Sequence, residues 1–352
     1  MMLQSERYDF VDPWDWLELA YQEGWTDGLP VAPPTPARVE AMLAYVQRGA
    51  QEELGTLPPG NGIATLEKLA INAVMAGCKP EYFPIVIAAI EAMQDPTFNM
   101  EGVLTTAYTV EPLVIVSGPI VKRLGFNCGD ALWGSNARAN GAVGRAVRLI
   151  LHNVAWSIPG RTKRTPLSHP GRYCFCVAED MDNSRWGSFH ADGGLRPQDD
   201  SVTVFGGDSP HNLYFPGSVD QVLITLCDAM AIFGHKGVHS QAQHLIVLCP
   251  PTVRRFEAAG WAKRDVQMYV FEHARRPVRE CLRAFPSGSE GSMRWPKWVL
   301  RSDLDARVPV AKSPDDIRIL VAGGSGVDVH GTWVPGWGDN GGFFVTRKVA
   351  SP

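Results

Sequence analysis

Two stretches far apart in the chain carry the same order of residues. "EPLVIVSGPIVKRLGF" at 111–126 and "HLIVLCPPTVRRFEAAGW" at 244–261 each begin with an apolar run and pass through a proline turn. Each then continues with Val, two basic residues and an apolar residue, and reaches a glycine followed by an aromatic. A short apolar run bounded by Gly and Pro suits a strand covered on both faces, and a turn leading straight into a helical segment suits an α/β unit. "IRILVAGGSG" at 317–326 is a third strand that ends in glycines. The pattern predicts an α/β fold, a layered sheet-and-helix architecture made of two related, interlocked lobes, with ligand-facing loops at the strand ends. No strong linker interrupts the chain. The expected division is an N-terminal α/β lobe with a helical opening over 1–165 and a C-terminal α/β lobe over 166–352.

With 352 residues, 45% of them hydrophobic and 20% charged, the chain can bury a full core. A formal charge of −4 gives no reason to expect nucleic acid or an anionic membrane as partner. The short basic runs "GRTKRT" (160–165) and "HARRPVRE" (273–280) read as a solvated turn and a helix end. "MMLQSERYDFVDPWDW" is acidic where a signal peptide would be basic and apolar, and no later segment reaches transmembrane length, so a soluble, cytoplasmic protein is expected. The seven cysteines show no repeated CxxC spacing, "CFC" at 174–176 puts alternate thiols on one side of a strand, and Cys227, Cys249 and Cys281 sit in apolar or helical surroundings. Mostly reduced thiols are the simplest expectation.

Helix punctuation is clear in the first half. Thr35 or Pro36 starts a helix with Val39, Met42 and Leu43 inward, and Thr65 caps another that ends at Gly77. A third follows over about 82–93. A long helix is expected from about Arg138 to Ala155, in which Gly141 and Gly144 cost propensity unless close packing or a ligand needs their small size.

"NAVMAGCKPEYFP" (72–84) places Cys78 after a helix-ending glycine. The unpaired N–H groups of a following helix would favour its thiolate and the C-terminus of the preceding one would not, so Cys78 reads either as a nucleophile or as a small buried thiol. On the preceding helix, Glu67 is a candidate proton acceptor and Asn72 a candidate partner for a carbonyl or amide. Solvated and packing roles are equally open to them. The polar island "WGSNARAN" carries Asn136, Arg138 and Asn140, and Arg145 lies seven residues beyond Arg138. A planar guanidinium with directed amides is suited to a carboxylate or phosphate, although a charged helix face would look similar.

Histidines discriminate less. His235 and His239 are four apart without a completing carboxylate, so no metal site is assigned, and His169 and His211, both in loops, are each a possible acid/base from the opposite lobe. His330 stands beside "VAGGSG" and is a candidate base. "GGSG" lacks the dinucleotide fingerprint and the P-loop Lys-Ser or Lys-Thr pair, which leaves any cofactor unknown. Trp333 and Trp337 would wall an apolar ligand or pack between lobes.

Taken together, "GWTDGLPVAPPT" (24–35), "PPGNGIATLEKLAINAVMAGCKPEYFPIV" (58–86), "GFNCGDALWGSNARANGAVGRAVRLILHNV" (125–154), "GRYCFCVAED" (171–180) and "GWAKRDVQMYVFEHAR" (260–275) resemble the UGSC family, named for a selenocysteine-Gly-Ser-Cys motif. The resemblance spans most of the chain. The naming motif does not occur here, and the resemblance carries no residue-level role.

The expected function is an enzyme acting on a small organic acid or amide, a hydrolase or lyase. Cys78 attacks an electrophilic carbon while Arg138 and the asparagines hold the polar end. Two alternatives stand beside it. One is a metal- or cofactor-dependent enzyme without a protein nucleophile, and the other a small-anion-binding subunit. Apolar helices and the tryptophan-rich opening would suit a homo-oligomer.

Overall fold

A computed structural model of the chain describes residues 3–134, 137–285, 293–326 and 330–351. Two four-stranded sheets form its centre. One has the order Val345–Lys348, Ser201–Gly207, Glu111–Ser117, Cys176–Ala178, and the other Ile317–Val321, His244–Leu248, His330–Pro335, His211–Tyr214. In each, the strand that opens a repeated sequence runs parallel to one neighbour and antiparallel to the other.

The correspondence extends to register. Val116 faces Ala178 and Val202, while Leu248 faces Val321 and Gly331. The hydrogen bonds just beyond repeat too, Glu179 N–H to Val116 O at 2.9 Å and Ala322 N–H to Leu248 O at 3.1 Å. The two sheets interlock along the chain: the first takes its edge strand Val345–Lys348 from beyond all four strands of the second, and the second sheet's edge strand His211–Tyr214 directly follows the first sheet's Ser201–Gly207. The sheets meet at a bridge between Gly207 and Gly336, and Gly206 lies so close to Gly342 that a Cβ there would stand 2.7 Å from the Gly342 Cα. A boundary at residue 165 therefore cuts through the first sheet, three of whose strands lie beyond it.

Alternation along the strands builds four layers. Leu113, Ile115, Val177 and Phe205 of the first sheet pack against Leu245, Val247, Leu320 and Val334 of the second, with Phe205 and Phe344 stacked at 4.0 Å between ring centres. The opposite faces carry helices. Val114, Val116, Val202 and Val204 pack on the N-terminal helices, and Ile246, Leu248, Ile319 and Trp333 on the helices of the second half. Each buried aliphatic side chain in these layers contributes roughly 1.5–3 kcal/mol.

The expected punctuation holds at several ends. Thr35 precedes the helix Pro36–Val46, and Thr65 accepts from Lys68 N–H to open Leu66–Met75. Gly77, at φ +84°, ends that helix in a conformation side chains resist. The long helix is Arg138–Asn153. Gly144 is needed for packing, since a Cβ there would stand 2.6 Å from the Cys174 sulfur, whereas Gly141 has open space beside it.

The "GRTKRT" turn differs from its solvated reading. Lys163 is 1% exposed, and its ammonium donates to Val103 O and Val110 O at 2.8 Å each and lies 3.5 Å from Glu111. Arg148 and Arg172 reach the same carboxylate at 3.1 and 3.3 Å. Burial pushes the Glu111 carboxyl up, but these cations outweigh it and hold it below its ordinary range.

Candidate active site

Most of the residues singled out from the sequence hold the N-terminal layer together. Glu67 is buried and accepts from Gln4 N–H at 3.0 Å, Ser5 N–H at 2.8 Å and the Gln51 amide at 2.5 Å. Burial raises its carboxyl, and these donors more than offset that. Asn72 donates to Lys68 O and accepts from Asn153, which also donates to Trp25 O. Arg145 forks onto Asp27 at 3.0 and 2.7 Å and donates to Pro30 O and Leu29 O, pinning the "GWTDGLP" loop to the long helix. Each side chain already spends its polar groups on the protein.

Cys78 and Arg138 do come together, in a packed setting. Arg138 donates twice to Gly77 O, at 3.0 and 2.8 Å, closing the C-terminal end of the preceding helix. The Cys78 thiol sits in the apolar core and donates to Ala142 O at 3.4 Å. Burial pushes it up to about 12, only partly countered by Arg138. The favourable helix N-terminus is not realised at Cys78, because its own N–H closes back on Ala73 O. Asn140 takes another role: its amide accepts from Asn127 N–H at 2.8 Å and donates to Asn127 O at 3.0 Å, fixing the loop before the long helix. Asn136 lies outside the described residues.

The loop that Asn140 holds leads to a more accessible thiol. Asn127 caps its own turn, accepting from Gly129 N–H, and Trp133 is tied to Thr332 by a 3.1 Å hydrogen bond, so residues 127–133 lie along the inner face of the second sheet. There the strand His244–Leu248 ends and Cys249 caps the helix Pro250–Ala258. Gly331 pairs with Leu248 at the end of the ladder, so Cys249 and His330 each lie one residue beyond that last pair, and on its other side His330 pairs with Tyr214 at 5.9 Å between rings.

Glycines form the remaining wall. A Cβ on Gly323 would stand 2.8 Å from the Cys249 sulfur, and one on Gly324 would stand 1.8 Å from Asp130 Oδ1. Gly323 N–H donates to Cys128 O at 2.8 Å, which joins the "GGSG" segment to the Asp130 loop. Asp130 and His330 are exposed and Cys249 is half-buried, so all three can be approached from outside. Asp130 also lines an adjoining cavity of about 610 Å³, with Phe126, Asn127, Gly134 and Ala137.

Electrostatics set the resting state of the thiol. Burial raises the Cys249 pKa and the Asp130 carboxylate raises it further, while Pro250 and Pro251 remove two N–H donors that a helix N-terminus would normally present. Cys249 therefore rests as a thiol, and attack by its sulfur requires a base to take the proton as the bond forms. Of the histidines named from the sequence as possible bases, His330 lies on the strand that pairs with His244–Leu248. Sequence reasoning misses Cys249 because its neighbours are apolar, although its position at the proline turn of the second repeat, ahead of a helix, is a usable signal.

The two histidines considered for metal do not converge. His235 caps a short helix and packs against Trp333 at 5.2 Å, and His239 packs on Phe285 at 5.1 Å. Among the described residues, no group of three or more His, Cys, Asp or Glu is arranged to hold a metal ion. Trp333 is a core residue, fully buried with its indole N–H on His244. No described helix is long and apolar enough to cross a membrane.

No family model matches the chain, and no curated protein is similar to it.

Proposed function

We propose that the chain is an enzyme acting on a small organic acid or amide, a hydrolase or lyase, with Cys249 as its nucleophile. One observation carries this reading: Cys249 and Asp130, from separate segments, come together at the strand end against two glycines that leave no room for a side chain, with His330 one residue beyond the last pair of the adjoining strand. Cys78 is the thiol this reading replaces, because its sulfur is packed away from solvent.

In the hydrolytic form the Cys249 S–H proton passes to His330 as sulfur bonds to the carbonyl carbon. His330 then returns the proton to the departing amine or alkoxide as the thioester forms. Water cleaves the thioester, giving its proton to the sulfur and its hydroxyl to the acyl carbon. The cavity beside Asp130 receives the rest of the substrate, which favours a polar, uncharged or amide-bearing end near that carboxylate. The reading also places the chain in a reducing compartment such as the cytoplasm, where free thiols persist. The UGSC likeness and a homo-oligomeric state belong to the same proposal.

The test is a screen of small amides, esters and 2-substituted acids with the wild type, Cys249→Ala and Cys78→Ala, followed by intact-protein mass spectrometry. Turnover and an acyl adduct are expected in the wild type and in Cys78→Ala and absent from Cys249→Ala. Undiminished turnover in Cys249→Ala overturns the assignment.

A further inference from the structure

A second cavity, of about 640 Å³, shares no lining residue with the one beside Asp130. It opens between the turn Phe189–Gly193, the first turn of the helix Lys263–His273 and the strand Ile317–Val321. Arg185, Lys263, Arg264 and Arg318 line it, with Asp192 and Asp315. Lys263 is paired with Asp192 at 2.9 Å and Arg264 with Asp315 at 2.5 Å. Arg185 and Arg318 make no ion pair within 4 Å among the described residues, although Asp192, Asp315 and Asp316 attract Arg318 from farther off. Arg185 is exposed.

Arg318 is held as a recognition group would be. Its guanidinium lies 4.9 Å from the centre of the Phe344 ring and 6.0 Å from that of Phe189. Among the described residues Nη2 reaches Asp192 O alone, at 3.5 Å, and Nη1 is buried without a hydrogen-bond partner. A buried N–H donor without an acceptor carries its full desolvation cost, and an oxyanion placed on the guanidinium edge removes that cost with two parallel hydrogen bonds. Trp186 supplies the apolar wall, its indole N–H fixed on Trp261 O at 3.3 Å.

We propose that this cavity is a binding site for a small oxyanion-bearing molecule. Arg318 takes the carboxylate or phosphate, Arg185 adds long-range attraction and Trp186 receives a planar or apolar body. The site is independent of the Cys249 reading, and its failure leaves that reading intact.

The full chain is titrated calorimetrically with phenyl phosphate, benzoate, inorganic phosphate and, as an uncharged control, benzyl alcohol. Saturable binding of phenyl phosphate or benzoate, tighter than that of either partial probe, is expected. Preference for benzoate assigns the site to carboxylates, and preference for phenyl phosphate assigns it to phosphate esters. Arg318→Gln should weaken binding by at least about tenfold with Arg318→Lys intermediate, since a point charge keeps attraction but loses the fork. Arg185→Ala, at a solvated position that leaves folding intact, should weaken it by about threefold and flatten its salt dependence. Cys249→Ala should bind as the wild type does. Absence of binding by both aromatic anions up to about 10 mM overturns the proposal. Unchanged affinity in Arg185→Ala and in whichever Arg318 variant folds overturns it equally.

Discussion

Ser117 and Cys249 occupy the same place in the two sheets. Each follows the strand residue that pairs with both neighbours, Val116 in one and Leu248 in the other, and each precedes a proline turn into a helix. Their surroundings differ. Ser117 is fully buried, with its hydroxyl unpartnered among the described residues, and Glu179 beyond the paired Ala178 accepts from Phe189 N–H at 2.6 Å and lies 3.6 Å from His190. At Cys249, Ala322 and Gly323 stand where Glu179 and Asp180 stand in the first sheet, and the strand end stays open to the Asp130 loop. One copy of the repeated turn is sealed into the core and the other can meet a ligand.

The carboxylate beside Cys249 disfavours its thiolate. Asp130→Asn should therefore lower the Cys249 pKa and speed alkylation of Cys249 by iodoacetamide near pH 7. Peptide mapping against pH reads this directly. An alkylation profile identical to that of the wild type would place Asp130 too far away to act on the thiol.

Gly324 and Asp130 compete for one volume. Gly324→Ala should destabilise the loop by about 1–3 kcal/mol, and adding Asp130→Ala should recover part of that loss. A double-mutant cycle by urea unfolding measures the coupling. Strict additivity would mean that the loops part without cost.

Glu111 faces three cations in the interior. Glu111→Gln leaves them uncompensated and should cost about 3–5 kcal/mol in denaturant unfolding. A loss below about 1 kcal/mol would mean that backbone carbonyls alone satisfy the cluster.

Lys163 gives this cluster a pH signature. Burial holds its pKa at about 8 despite Glu111, against 10.5 for a free lysine. The unfolded chain then binds more protons than the folded one between those values, so the lysine's contribution to stability rises with pH across that window and is lost as pH falls through about 8. Comparing the pH dependence of unfolding for the wild type and Lys163→Met isolates it. The difference between the two curves should slope upward from about pH 8 to about pH 10, and a flat difference would show that Lys163 titrates normally.

The sequence by itself determined the elements and their repetition. Alternation, Gly and Pro punctuation and caps such as Thr65 are local, so the strands around Leu113 and Leu245 and the helix after Thr65 were legible from neighbouring residues alone. The α/β class followed. Tertiary structure decided the rest. Exchange of the edge strands depends on contacts more than a hundred residues apart, as between Val202 and Arg347, and no local pattern records them. The same holds for polar roles. Arg145 and Asn140 read as ligand-binding groups and Glu67 as a proton acceptor because residue type shows a capacity for hydrogen bonds, whereas only the fold shows that Asp27, Asn127 and the Gln4–Ser5 backbone already use that capacity. Cys249 and Cys78 likewise carry the same thiol, and what separates them is exposure and the nearness of Asp130, which the folded chain alone brings to Cys249.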